Sequence, residues 1–560
     1  MALSRLIVVL AATVALLLFS RAEAGEIGVN YGMLGSDLPD PASVVRLLRK
    51  SGITSVRLYD TNATVLRALA NTGIKVMVML RNDELAAVAA SPSVALRWVR
   101  SNVAAHYPAT QIRDVEVGNE VFLKAKSLTR QLVPAMNNVH AALVRLRLDA
   151  AIKVSTPLAF TALAESWPPS SGRFRDDIAQ SVMKPMVDFL RRTGSSLNVN
   201  AYPYFAYIAQ PDKISLDYAL GNPNPGVRDN KTGLVYHSLL DAQIDAAYFA
   251  MEKLESAGTS MVVAESKGQS GTPGVNVPET GHPHYGHPKR NGGRRLLAAG
   301  DGCPAASISN AQAYNNNLIN RVLSGATGTP YRPDADMDVH IFSLFDENLK
   351  SNRPDDTENF FGLFYSNMTK VYGFDFHRAS LASWCMANAS AGAAALQAAM
   401  DYACGHGTDC GAIQPGGTCF EPGNKLAHAS YAFNSYYHRN GRASGTCDFD
   451  GAAYIVFREP AGNCDPKASR CVANAAAGEK ALQEALNYAC ANGADCSAIQ
   501  RCGPCFEPNN VTAHASYAFN NYYQRKGRAR GTCDFAGAAS VVYRAPKIGK
   551  CVLPSKVWNL

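Results

Sequence analysis

The run Ile112-Arg113-Asp114-Val115-Glu116-Val117-Gly118-Asn119-Glu120 alternates apolar and polar residues over a strand-like length and then meets a glycine. It places a carboxylate where a strand leaves a sheet. In a closed barrel of parallel strands that end carries the chemistry, and the opposite end carries stability. A lone glutamate in a turn is usually a solvated acid, so Glu120 gains meaning only if the chain also supplies a barrel and a second carboxylate.

Outward from this stretch, short apolar runs recur between residues 25 and about 378. They are Ile27–Tyr31, Ser55–Asp60, Ile74–Leu80, Val115–Glu120, Ile152–Leu158, Leu197–Tyr204, Met261–Glu265 and His340–Glu347. Between them lie segments with apolar residues at helical spacing, such as Pro41–Lys50, Ala63–Asn71, Val94–Ala105 and Val133–Leu148. Strands alternating with helices over this length predict a (β/α)8 TIM barrel of the α/β class. The rival, an open doubly wound sheet, lacks a Gly-x-Gly-x-x-Gly after its first strand.

Of the 560 residues 47% are hydrophobic and 18% charged, an ordinary globular composition, and the length predicts several domains. Residues 1–24 read as a signal peptide: Arg5, an apolar run from Leu6 to Phe19, then Ala22-Glu23-Ala24. Nothing later resembles a spanning helix or a lipid-anchor tail, so the expectation is a secreted, soluble, extracellular protein without a membrane anchor. Fourteen cysteines and sequons at Asn62, Asn230, Asn367, Asn388 and Asn510 suit an oxidising, glycosylating route. The formal charge of +8 is partly gathered in the loop from His282 to Arg295. Stacking aromatics are not interleaved there, so no nucleic-acid partner is expected. A monomer is the expected state.

After Phe376 cysteine becomes dense. Residues 385–464 and 471–551 are two copies of one small module, offset by 86 residues; Ala429-Ser430-Tyr431-Ala432-Phe433-Asn434 returns as Ala515-Ser516-Tyr517-Ala518-Phe519-Asn520. Six cysteines per copy form a disulfide framework, whose spacing alone leaves fifteen connectivities. A zinc site would need a second Cys-x-x-Cys pair or histidines, so no metal is expected. Cys303 and Cys502 fall outside the scheme and are unassigned.

Three glutamates end predicted strands: Glu120, Glu265 and Glu347, the last followed by Lys350. Carboxylates gathered in one cleft raise one another's pKa, while a lysine opposes the rise. Retaining glycoside hydrolysis needs such a pair, one acid and one nucleophile.

The region 25–378 resembles the plant family 17 glycoside hydrolases, the endo-1,3-β-glucanases. The motifs that carry the resemblance are Gly28-Val29-Asn30-Tyr31-Gly32, Val56-Arg57-Leu58-Tyr59-Asp60, Val117-Gly118-Asn119-Glu120, Asn200-Ala201-Tyr202-Pro203-Tyr204, Phe345-Asp346-Glu347-Asn348 and Phe361-Gly362-Leu363-Phe364-Tyr365. The resemblance implies a polysaccharide substrate, 1,3-β-glucan, a place in the cell wall or apoplast, and no cofactor. It implies Glu120, next to Asn119, as general acid/base, Glu265 as nucleophile, Glu347 and Lys350 as assistants, and Tyr59 and Tyr202 lining the glucose sites.

That family follows its nucleophile with Ser/Thr-Gly-Trp-Pro, whereas this chain reads Glu265-Ser266-Lys267-Gly268. A similar string, Glu279-Thr280-Gly281-His282-Pro283, follows Val275-Asn276-Val277-Pro278, a poor strand by pattern because of its proline. Glu265 is therefore preferred. The missing segment leaves a catalytically impaired glucan-binding wall protein as the alternative function.

The modules resemble the callose-binding module, carbohydrate-binding module family 43. That resemblance implies the pairings Cys385–Cys447, Cys404–Cys464 and Cys410–Cys419, repeated as Cys471–Cys533, Cys490–Cys551 and Cys496–Cys505. Tyr431, Phe433, Tyr436 and Tyr437, with their repeats Tyr517, Phe519, Tyr522 and Tyr523, are open to two readings, a sugar platform or a small core.

Overall fold

The apolar runs form parallel strands whose residues are buried almost throughout, because helices cover the outside and side chains fill the inside. The strands are β1 Ile27–Tyr31, β2 Ser55–Leu58, β3 Lys75–Leu80, β4 Gln111–Val117, β5 in two segments Lys153–Ser155 and Pro157–Ala159, β6 Leu197–Asn200, β7 Val275–Thr280 and β8 Val339–Ile341. Every residue of β1, β2 and β6 is buried. The computed structural model describes residues 25–256, 272–285, 305–377 and 383–554, the last range without 416, 418, 421–423, 441, 443, 457–459, 461–463, 465–468, 502, 504, 530, 543–544 and 550. Residues 1–24, expected to be a signal peptide, and Met261–Glu265, Cys303 and Cys502 lie outside the described residues.

Hydrogen bonding runs in the order β5-β4-β3-β2-β1-β8-β7-β6. The first segment of β5 pairs with β4 and the second with β6, so the ring closes around Thr156. The expected (β/α)8 barrel is present. Some strands end earlier than the pattern suggests. β6 stops at Asn200 because Pro203 opens a helix, Pro203–Ala209, where its missing N–H costs nothing. β8 stops at Ile341, yet backbone bonds carry on irregularly, from Phe342 N to Thr280 O and from Leu344 N to Asn30 O, both 2.8 Å.

The outer layer includes α1 Pro41–Lys50, α2 Ala63–Leu69, α3 Leu132–Arg145, α4 Lys184–Thr193, α5 Leu239–Ser256 and α6 Ile308–Leu323. α1 starts where it does because Asp40 accepts from Ser43 N at 3.0 Å and Pro41 takes the first helical position. α2 is capped in the same way by Asn62. Their inward stripes, such as Val44 and Leu48 or Val65, Leu66 and Leu69, join the barrel core. Each such side chain contributes roughly 1.5–3 kcal/mol relative to exposure.

Each module pairs two strands antiparallel and packs two helices on them. The first has β9 Trp384–Ala387, α7 Ala393–Gly405, α8 Lys425–Arg439 and β10 Ala453–Val456; the second has β11 Arg470–Ala473, α9 Glu479–Ala491, α10 Val511–Arg525 and β12 Ala539–Val542. The polar ties repeat: Asn434 accepts from Cys385 N at 3.0 Å, and Asn520 from Cys471 N at 3.1 Å. The open reading of the aromatics resolves largely to core. Phe433, Tyr437, Phe519, Tyr517 and Tyr523 are buried, and Phe433 stacks on Phe449 as Phe519 does on Phe535.

One implied pairing per module is found, Cys385–Cys447 and Cys471–Cys533, and the others are corrected. The structure joins Cys404–Cys410 and Cys419–Cys464, repeated as Cys490–Cys496 and Cys505–Cys551. The reason is local. Cys404 and Cys490 lie near the C-termini of α7 and α9, and the chain turns back at once, bringing the cysteine six residues on to a Cα distance of 5.7 Å.

Candidate active site

β4 leaves the barrel through a turn that only a few residue types accept. Gly118 has φ +71°, and a Cβ there would lie 2.6 Å from Val121 Cγ2. Asn119 is clamped by Asn82, which donates to its carbonyl at 3.1 Å and accepts from its amide at 2.8 Å. Glu120 takes a left-handed conformation, φ 51°, with its amide tied to Pro157 O at 3.0 Å. Strain of this kind, roughly 1–3 kcal/mol, persists where the surroundings over-determine a backbone. The carboxylate is nearly buried. Asn200 at the end of β6 donates to Oε1 at 2.9 Å, and Lys124 Nζ is 2.7 Å from Oε2.

The strand between β6 and β8 is Val275–Thr280, and the carboxylate it presents is Glu279. This overturns the reading of Val275–Pro278 as too poor to be a strand. Val277 pairs with Val339 and Thr280 with Ile341, so three residues advance on β7 against two on β8. Pro278 sits within that bulge, one of the few places where a sheet tolerates proline. Asn30 Nδ2 donates to its carbonyl at 3.0 Å. Glu279-Thr280-Gly281-His282-Pro283 therefore occupies the strand-end position that the sequence reading gave to Glu265. His282 is buried there, edge-on to Tyr204, and burial lowers its pKa to about 4. After Glu279 a Thr-Gly-x-Pro segment is present, with His282 where the family pattern has Trp.

Both Glu279 oxygens are occupied. Tyr59 Oη and Arg57 Nη1 donate to Oε2 at 2.6 and 2.8 Å, and Tyr202 Oη donates to Oε1 at 2.7 Å. The two tyrosines, expected to line glucose sites, thus turn their hydroxyls to this carboxylate. Arg57 is fully buried on β2 and also donates to Glu116 Oε2 at 2.5 Å, to Asn30 Oδ1 at 2.8 Å and to Asn119 Oδ1 at 3.4 Å. A continuous chain of contacts, from Arg57 through Asn119 and Asn200, links Glu279 to Glu120. Burial alone would raise the Glu279 pKa. The charges of Arg57, Lys350 and Lys124 and the Tyr59 hydroxyl outweigh it and hold the carboxyl at about 2.

Glu347 follows β8. Its Oε1 accepts from Leu34 N at 2.8 Å, and Lys350 Nζ stands 3.9 Å from Oε2. A Cβ on Gly32 would lie 2.2 Å from Glu347 Oε1, so any side chain there would push the carboxylate from its place. Burial raises the Glu347 pKa against the pull of Lys350. The Lys350 ammonium lies over the Phe342 ring at 4.0 Å.

Three charged residues of this cluster carried no assigned role in the sequence reading. In the sequence Arg57 lies inside the Val56–Asp60 motif, and Glu116 lies in the interior of β4. Its signal was a charge at an all-buried strand position. Glu358, on the turn Thr357–Asn359, has its pKa raised by burial and feels the charges of Lys350 and Glu279. No periodicity marks such a turn residue.

Residues 27–376 match the profile of Glycosyl hydrolases family 17, and residues 383–454 and 469–540 match the X8 domain. Glucan endo-1,3-beta-glucosidase 7 of Arabidopsis thaliana is 38% identical over 449 residues, 78% of this chain and 83% of that protein. The glucan endo-1,3-beta-D-glucosidase of Olea europaea is 36% identical over 456 residues, 78% of this chain and 92% of its own. Among solved structures, a beta-1,3-glucanase and allergen of Cryptomeria japonica pollen is 41% identical, covers 63% of this chain and 99% of its own, and superposes with a TM-score of 0.54. A barrel with its charged cluster at the C-terminal ends of β2, β4, β7 and β8, two following X8 domains and these relatives agree: the chain belongs to family 17 of the glycosyl hydrolases.

Proposed function

We propose that this chain is a secreted endo-hydrolase of 1,3-β-glucan that retains anomeric configuration, with Glu279 as nucleophile and Glu120 as general acid/base. The observation that carries the reading is one network at the strand ends: Glu279 is held ionised by Arg57 and two tyrosines, and Glu120 is joined to it through Asn119 and Asn200. A nucleophile must be ionised before it attacks, and an acid must accept and release a proton. The names of the relatives support the substrate.

In the first step a Glu279 oxygen bonds to the anomeric carbon, the glycosidic C–O bond breaks, and Glu120 gives its proton to the departing sugar oxygen. In the second, water attacks the same carbon, its proton passes to Glu120, and the Glu279–sugar bond breaks. Tyr202 and Tyr59 release hydrogen bonds as negative charge leaves the carboxylate, and they restore them as it returns. Glu347 and Lys350 set the field around the pair. The two modules raise the local concentration of the barrel on an insoluble polymer. The leader at 1–24 and the disulfide-bonded modules support secretion.

The test is reducing-sugar release from a linear 1,3-β-glucan by the wild type and by Glu120→Gln, Glu279→Gln and Glu265→Gln. Loss in the first two with Glu265→Gln active supports the proposal. An active Glu279→Gln would sink it.

A further inference from the structure

The first module touches the barrel through residues that the second module lacks. Tyr454, on β10, lays its ring on His237 with centroids 3.7 Å apart and 6° between planes. Its hydroxyl donates to the Asn224 carbonyl at 3.1 Å, and Ser390 Oγ donates to the Pro225 carbonyl at 3.4 Å.

The barrel side of this contact is organised by its own bonds. Asn224 Nδ2 donates to the carbonyls of Asn222 and His237, both at 2.7 Å, and Asn224 Oδ1 accepts from Gly226 N at 2.9 Å. The His237 Nδ1–H donates to Asn224 O at 3.1 Å, which fixes the ring plane that Tyr454 meets. Asn317, on α6, ties the loop down through Asn222 Oδ1 at 3.1 Å. The loop belongs to the connection after β6, at the barrel end where Glu120 and Glu279 emerge.

The repeat supplies an internal control. At the offset of 86 residues, Tyr454 becomes Ser540 and Ser390 becomes Ala476, whereas the internal tie from Asn434 to Cys385 is kept as Asn520 to Cys471. Divergence thus falls on the docking residues and spares this internal tie. The contact also leaves another face open. Tyr402 is 50% exposed in the docked module and its counterpart Tyr488 is 54% exposed. Each packs edgewise on a matching aromatic, Tyr402 on Phe449 and Tyr488 on Phe535, and His406 stacks on one side of the Tyr402 ring with centroids 4.0 Å apart, so the exposed side of Tyr402 is the other one. Docking does not use the Tyr402 face.

We propose that the first module is fixed to the catalytic end of the barrel through Tyr454 and His237, with its Tyr402 face free to take polysaccharide. The second module is an anchor without that contact. This division of labour rests on the hydrolase reading for its substrate but not for its geometry. A binding face held still beside a cleft presents a polymer in a limited set of positions, whereas a tethered one only raises concentration.

Hydrogen exchange on the full chain tests the geometry. Tyr454→Ser, which installs the residue of the second copy, should speed exchange in residues 222–237 about tenfold, the scale of one stacked ring and one hydrogen bond. His237→Ala should do the same to residues 453–456 from the other side, while exchange in α8 stays unchanged and shows that the module remains folded. No change across the contact in either variant overturns the docking. Reducing-sugar release tests the consequence. Both variants should keep the wild-type rate on a short soluble 1,3-β-glucan and lose severalfold on the insoluble polymer. Equal rates on the polymer, with exchange accelerated, overturn the fixed extension. A wild type inactive on both substrates overturns the hydrolase reading, and the exchange result alone then decides the docking.

Discussion

Glu279 at the end of β7 is 6% exposed and Asp245 on α5 is 0% exposed, and removal from water pushes both carboxyls toward the neutral form. Their partners separate them. Asp245 accepts from Thr329 Oγ1 and Tyr331 N, both neutral donors, and burial carries its pKa up to about 7. Glu279 faces the Arg57 guanidinium, which overrides the same burial and leaves it near 2. One site is a clamp between α5 and the loop before β8; the other is a permanently charged group at the mouth of a barrel. Burial alone leaves a carboxyl protonatable near neutrality, and a fixed cation beside it keeps it ionised.

The comparison breaks hardest under Glu279→Gln. That variant should lower kcat/KM by about 10⁴-fold or more, as loss of a nucleophile does. Asp245→Asn, equally buried, should leave kcat/KM within about threefold, because the site keeps an acceptor and no reacting group changes. Steady-state assays on a soluble glucan check both.

Arg57→Met would turn Glu279 into a second Asp245. Removing the cation from a buried pair costs about 3–5 kcal/mol, readable in urea unfolding. Without Arg57 the Glu279 pKa rises, so the acid limb of the activity profile should move to higher pH. A limb that stays in place would show that Arg57 does not set the charge of Glu279.

Tyr202→Phe sharpens the contrast by removing a single donor to Glu279. A hydrogen bond to a charged group is worth about 1.5–3 kcal/mol, so without it the Glu279 pKa should rise and the acid limb of the activity profile should move to higher pH, by less than in Arg57→Met. Stability should change far less than in Arg57→Met.

The same comparison sets the dependence of stability on pH. Asp245 binds its proton more tightly when folded, so its cost to stability disappears as pH falls from about 7 toward 3.8. Glu279 holds its proton less tightly when folded, so its contribution is present above pH 4.5 and is lost as pH falls toward about 2. The Tm difference between wild type and Asp245→Asn should therefore move in favour of the wild type between pH 7 and 4. Against Glu279→Gln it should move against the wild type below pH 4.5.

The strands of the barrel were legible because a parallel sheet covered on both faces writes itself as short apolar runs, as in Ile27–Tyr31 and Lys75–Leu80. Glu120 was legible because a Gly-Asn-Glu turn closes such a run. Glu279 was not, because Pro278 lies inside its strand, and the bulge that accommodates a proline arises from pairing with β8, far away in sequence. Arg57 escaped for a related reason. A charge within a buried strand makes sense only once Glu116 and Glu279 are seen on either side of it. In the modules, spacing left the disulfide connectivity open and the resemblance named two pairs in each module wrongly. The tight turns after α7 and α9 decide those pairs.

The most direct test of the central claim is covalent trapping. A 2-deoxy-2-fluoro glucoside with a good leaving group forms the glycosyl-enzyme faster than water removes it, and peptide mass mapping locates the bond. The adduct should lie on the peptide containing Glu279 and be absent from Glu279→Gln. An adduct on Glu265, Glu347 or Glu358 would contradict the assignment.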